Sequence, residues 1–425
     1  MEISALLMAR LQFVLSLNFL VLFSALATAL GWMLAVMRWQ SIRQPESGWL
    51  GAYRFWVRVF ALATILSLGC AVPVLLELGI LWPSLIERIG NVAGPLLALA
   101  IVTFFVIKAV FVGVMLFGQK RVSSTGHLFS IIMVALGFTA TVFWGVVLQS
   151  WTHTPDGATL IDGRYQVLDW AQLVFNAALS WHLLLFVAGA FLTLAFLMIG
   201  ILAWQGCRRP LEESERLAFQ AGFWLAVAAM LVQIWATDGT ARLVARYQPA
   251  TAAAVLGFWE ANGQTESMHA RWLGRASDGS LIGIEAAASH APPVRSLYWL
   301  ARAGLMLAAG MTILLCVLGW CRWRKGRNPS MYPSGVLHVS AWLSWTGAAL
   351  WLVSWNLVDM GRSPYLVWGT LTQADLLTET DAGLLAAGLL VSFVCYLLLL
   401  TGLIKMLRHA ARFGVVPVRK PGASA

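Results

Sequence analysis

"AQLVFNAALSWHLLLFVAGAFLTLAFLMIGILAW", Ala171 to Trp204, contains no Asp, Glu, Lys or Arg. A helix needs about 20 apolar residues to cross ~30 Å of hydrocarbon, and this stretch is longer. Lipid offers no water to the peptide groups, so a segment of this kind must satisfy them internally, as a helix. Its one ionisable side chain is His182. An ionisable group at membrane depth is costly enough to mark either a functional site or a well-partnered side chain.

The rest of the chain resembles this stretch. Of 425 residues, 60% are hydrophobic and 11% charged, with 22 tryptophans, which excludes a water-soluble globule of this length. Apolar runs of spanning length lie near 11–37, 56–82, 94–117, 128–150, 171–204, 218–236, 298–321, 336–358 and 383–405. The sequence therefore predicts an all-α, polytopic membrane bundle of nine transmembrane helices forming a single membrane domain over residues 1–425. The first run lacks a basic leader and continues for a full span, so it is expected to stay as a helix and not to be removed as a signal.

Orientation follows from Lys and Arg, which concentrate in short cytoplasmic loops. Arg38, Arg43 and Arg54 follow the first run; Lys120 and Arg121 the third; Arg208, Arg209 and Arg216 the fifth; "CRWRKGR" (321–327) the seventh; and "KMLRHAARFGVVPVRK" (405–420) the ninth. The alternate segments, "HTPDGATLIDGRYQVLD" and "LTQADLLTETDAG", are neutral or acidic. These assign an outside N-terminus, an inside C-terminus and an outside 237–297 segment, within which a short helix is expected near Ala250–Trp259. The net charge of +10 is thus mostly topology, and no basic soluble face points to nucleic acid. Cys70, Cys207, Cys316, Cys321 and Cys395 show no spacing typical of a zinc site, and neither disulfides nor a metal site are expected.

Several stretches, in order, resemble subunit I of the cytochrome bd quinol oxidases: "ARLQF" (Ala9–Phe13), "FWVRVFAL" (Phe55–Leu62), "FVGVMLFG" (Phe111–Gly118) and "MVALGFTATVFWGVVLQSW" (Met133–Trp151). Further along come "LVFNA" (Leu173–Ala177), "ILAW" (Ile201–Trp204), "TDG" and "VARYQP" (Thr237–Pro249), "LYWLAR" (Leu297–Arg302) and "GRSPY" (Gly361–Tyr365). The resemblance implies b- and d-type haems, quinol oxidation on the outer side, oxygen reduction, a second multi-span subunit and a bacterial-type inner membrane.

The same resemblance, taken position by position, places Leu20 and Leu185 where the family has haem histidines, Gly304 where it has a methionine, and Lys108 where it has a carboxylate. Alkyl side chains have no lone pair for iron. The quinol-site lysine and glutamate fall on Thr251 and Leu256. Arg302 and Arg362 are candidates for haem propionates, or for pairing with Asp238, Asp359 or lipid head groups. His182 lies three residues from Leu185, ~4.5 Å along the helix and ~60° around it, which favours a packed, hydrogen-bonded side chain over a ligand. His127, His153, His269, His290, His338 and His409 are expected at wet span ends or in loops. Lys108, a cation near mid-membrane, is expected to meet a partner subunit or a cavity, because Glu77 differs from it in depth by ~13 Å.

Three functions remain open on this reading. The first is a non-catalytic subunit I-like component of a respiratory-type hetero-oligomer, with no catalytic residues and no haem expected for the chain alone. The second is an active oxidase with haem on relocated ligands such as His182 and His127. A third is a transporter or ion pathway through the vacated cavity, with Lys108 as its charged element.

Overall fold

The computed structural model describes residues 2–258, 262–263, 270–275, 280–284, 292–372, 376 and 382–413. Among the described residues, nine helices are long and apolar enough to cross a membrane. We label them α1 (Glu2–Arg43), α2 (Trp49–Ile80), α3 (Pro83–Ile107), α4 (Ser124–His153), α5 (Leu179–Gly206), α6 (Glu213–Tyr247), α7 (Val294–Lys325), α8 (Thr346–Gly361) and α9 (Ala382–Phe413). A π-turn, Lys108–Val112, carries α3 into Gly113–Phe117. The eighth span begins with Ser334–Trp342 and passes through a 3-10 turn, Leu343–Trp345, into α8.

Most helices outrun their apolar runs, because polar and basic turns continue the backbone ladder beyond the hydrocarbon. The clearest case is α6, which extends through Tyr247, so the segment expected outside from 237 leaves its helix only at Gln248. The short helix expected near Ala250–Trp259 is Pro249–Leu256. It stops where Gly257 takes φ +76°, a left-handed cap that glycine adopts without a Cβ penalty. At the other end of α6, Glu212 and Glu215 form a reciprocal capping box, and Arg209 grips Glu215 through two bonds of 2.8 and 2.5 Å.

Helices α1 and α5 are the most enclosed, and α3 and α9 the least. Around this centre α1 packs on α2, α4 and α9, α5 on α6 and α8, and α3 on α4. Without a solvent-driven hydrophobic effect, helix association in lipid relies on close packing through small residues. Contact between α5 and α8 shows the principle. A Cβ on Gly189 would meet Trp351 at 1.9 Å, and one on Gly347 would meet the Leu192 carbonyl oxygen at 2.5 Å.

Small antiparallel hairpins, which the apolar pattern did not predict, cap one end. β1 (Ala158–Ile161) pairs with β2 (Arg164–Val167) across Asp162-Gly163, both with positive φ. β3 (Asn262–Gly263) pairs with β4 (Leu281–Ile282), and β5 (Tyr365–Val367) with β6 (Leu371–Thr372). The five cysteines are free.

Candidate functional site

Polar side chains collect under those hairpins. His153 ends α4, one turn after Gln149; His182 lies in the first turn of α5; Gln248 follows α6; and Arg362 follows α8. Four helices thus deliver their polar residues to one buried layer.

The Nδ1–H of His182 donates to Oε1 of Gln149 at 2.9 Å. The same amide presents Nε2 to Nε2 of His153 at 3.3 Å, and the Gln248 amide lies 3.2 Å from His153 Nδ1. The two imidazoles meet edge to face, 5.0 Å apart, and are 4% and 2% exposed for His182 and His153. Because the amide oxygen of Gln149 faces Nδ1 of His182, that nitrogen carries the proton and Nε2 keeps its lone pair. His182 lines a cavity with Gln149, Leu185, Phe186, Trp351 and Trp355. The cavity volume is about 20 Å³, room for about one water.

Arg362, 8% exposed, donates to Asp359 at 2.6 Å and to the Thr152 hydroxyl. Nearby, Asn176 donates to Ser150 at 3.0 Å and accepts from Thr154 at 3.1 Å, which fixes the entry to α5 against the end of α4. The layer is sealed from above by Tyr165, whose ring stands edge-on to Trp151 and whose hydroxyl meets that of Thr370 at 2.6 Å. Burial pushes the Tyr165 phenol up from its ordinary range, and the Thr370 bond opposes part of that shift.

The residues singled out from sequence separate here. His182 and Arg362 belong to the layer. Arg302 does not: it donates to the carbonyls of Val255 and Leu256 at 2.5 and 3.1 Å and lies over Tyr298, closing the short helix Pro249–Leu256. Asp238 is held by Arg242, Arg271 and Trp272. The backbone of Lys108 opens the π-turn, while its side chain lies outside the described residues, as do His269 and His290. The expectation of wet histidines is corrected at two positions. His127 and His153 are buried at opposite ends of α4, because neighbouring side chains cover both ends: His127 meets the Met115 carbonyl at 3.2 Å and the Tyr53 ring, and His153 meets His182 and Gln248. His338 and His409 are exposed. Gln149 and Gln248 were not singled out; a Gln four residues before a His on one helix face was the available signal for the first.

At the positions that the resemblance singles out, the surroundings are packed. Leu185 shares its cavity with Trp351 and Trp355, which stack at 5.7 Å and 9°, with Phe186 edge-on to both. Gly304 faces Val353, which a Cβ would meet at 3.1 Å. Leu20 packs with a cluster of Phe23, Leu66, Cys70 and Tyr396 between α1, α2 and α9.

Comparison with known proteins gives a consistent result. The family profile described as cytochrome bd terminal oxidase subunit I matches residues 8–415. Cytochrome bd ubiquinol oxidase subunit 1 of Bacillus subtilis (strain 168) is 24% identical over 440 residues, covering 93% of this chain and 91% of that one. Cytochrome bd-II ubiquinol oxidase subunit 1 of Escherichia coli (strain K12) is 26% identical over 255 residues, 60% of this chain and 50% of that one. In fold, the chain is similar to the bd oxidase structure from Geobacillus thermodenitrificans, with a TM-score of 0.83, 20% identity, and coverage of 96% of this chain and 99% of that one.

Proposed function

The chain belongs to the cytochrome bd terminal oxidase subunit I family, and from that membership we propose that it is a non-catalytic, subunit I-like component of a respiratory membrane complex. It is a multi-pass protein of the bacterial cytoplasmic membrane. One observation carries the non-catalytic reading. At Leu185 an alkyl side chain stands where the family resemblance calls for a haem ligand, and the stacked Trp351 and Trp355 pack around it with Phe186. The donor set agrees, since Leu20, Leu185 and Gly304 offer iron nothing. No haem is expected in the chain alone, and no step is assigned to one.

The bundle itself remains the working part. Arg362 and His182, with Gln149, His153 and Gln248, bring four helix ends together as one polar layer. Lys108 stands in the third span, one of the two least enclosed, next to the exposed Phe105, Val106 and Val110. A cation inside the membrane on a helix with so little cover suits an acidic group on a second multi-span subunit. Affinity purification in mild detergent with mass spectrometry tests this. A co-purifying multi-span membrane protein, depleted several-fold by Lys108→Ala, supports the assembly. A stable monomer unaffected by that substitution contradicts it.

A second reading has one observation in its favour. His182 lines the cavity while Gln149 fixes its Nδ1, and a bond of this kind to one ring nitrogen is what orients ligating histidines. An oxidase with relocated ligands would need Trp351 and Trp355 to move aside.

A further inference from the structure

On the far flank of α1 from the imidazoles, a carboxyl group is buried without a counter-charge. Glu77, in the last turn of α2, is 6% exposed. Its Oε1 accepts from Ser16 Oγ at 2.8 Å and from Gln12 Nε2 at 3.2 Å, two side chains one turn apart on α1. Its Oε2 is buried and bonded to nothing among the described residues. The same holds for Oε1 of Gln12, and the hydroxyl of Tyr396 on α9 lies beside Ser16 in the same cluster.

Two unsatisfied oxygens in one buried cluster call for an explanation, since native interiors leave few such atoms. An ionised carboxylate there would need a cation. Among the described residues none stands beside it: α1 turns Arg10 to Ser363 at 2.9 Å, α2 brings Cys70, and α9 brings Tyr396 and Cys395. Among the described residues Glu77 takes part in no ion pair. Where ionised groups are buried unpaired, the cost runs to several kcal/mol.

The donors are all oxygen, from carboxylate, amide and hydroxyls, and oxygen donors suit hard cations. The charge count is one. A divalent ion would leave a buried positive charge, whereas a monovalent one leaves the site neutral. We propose that Glu77, Gln12, Ser16 and Tyr396 form an intramembrane binding site for one monovalent cation, H⁺ or Na⁺, enclosed by α1, α2 and α9. With a proton on Oε2, Glu77 becomes a donor that can serve the Gln12 oxygen. With Na⁺, the free oxygens become its ligands. Helix α9 closes on the site at Gly388, where a Cβ would lie 3.0 Å from the Gln12 oxygen. The proposal is independent of the haem content of the chain.

Infrared difference spectroscopy of the full-length purified protein, with any subunits that accompany it, tests the site. In Na⁺-free buffer near neutral pH the wild type is expected to show a carboxylic-acid carbonyl band that Glu77→Gln abolishes. Persistence of that band in NaCl identifies H⁺ as the occupant; its conversion to carboxylate bands by NaCl, but not by choline chloride, identifies Na⁺. A carbodiimide that modifies protonated carboxyls in apolar surroundings gives a readout on the wild type alone, with Glu77 as the expected adduct by peptide mass spectrometry. Wild-type and Glu77→Gln spectra that agree in the acid region, with Glu77 unmodified by the carbodiimide, overturn the proposal.

Discussion

Gln149 is the side chain on which the buried imidazoles depend, because its one amide serves His182 through oxygen and His153 through nitrogen. Deleting it leaves two buried polar groups without partners, and each such group costs ~1–3 kcal/mol. Gln149→Leu is therefore expected to lower the thermal midpoint in detergent clearly, while His182→Leu made in the Gln149→Leu background lowers it little further. A double-mutant cycle is expected to give coupling of ~0.5–3 kcal/mol, and additive losses would contradict the shared amide. The sequence made His182 conspicuous because it interrupts an apolar stretch. It hid His153, which sits at a helix end where histidines ordinarily meet water, and nothing in the local pattern says that hairpins fold over that end. The Asp162-Gly163 pair between short β-forming runs was the legible sign of the first hairpin.

Contact between α5 and α8 sets the shape of the region around Leu185. Trp351 lies across Gly189 and its indole N–H donates to the Phe186 carbonyl at 3.2 Å, so the ring is fixed at both ends. A methyl at position 189 has no space, since its carbon would stand 1.9 Å from the ring. Gly189→Ala is expected to lower the thermal midpoint or block assembly of the bundle, and Gly145→Ala, which meets nothing within 4 Å, to leave it unchanged. Equal effects of the two would remove this contact from the account. Spans of this kind were readable from hydropathy, because lipid demands a long apolar helix whatever its neighbours. Which helices touch was not readable, since small residues recur on most of them and only the tertiary arrangement selects Gly189 and Gly347.

Across the membrane as a whole, the distribution of Lys and Arg leads us to expect the N-terminus and the 237–297 segment outside and the C-terminus inside. That assignment puts the imidazole layer and the Glu77 cluster both toward the outer side. Single-cysteine variants at Ala286 and Ser424, in a background without the five native cysteines, are expected to label from opposite sides of a sealed membrane. Labelling of both from one side contradicts the topology.

The most direct test of the central proposal, that this member of the family binds no haem, is an optical spectrum of the purified chain with a pyridine haemochrome assay. The account predicts far less than one haem per chain and no Soret band that depends on His182. About one haem per chain, with a Soret band lost in His182→Ala, would contradict it and establish His182 as an axial ligand.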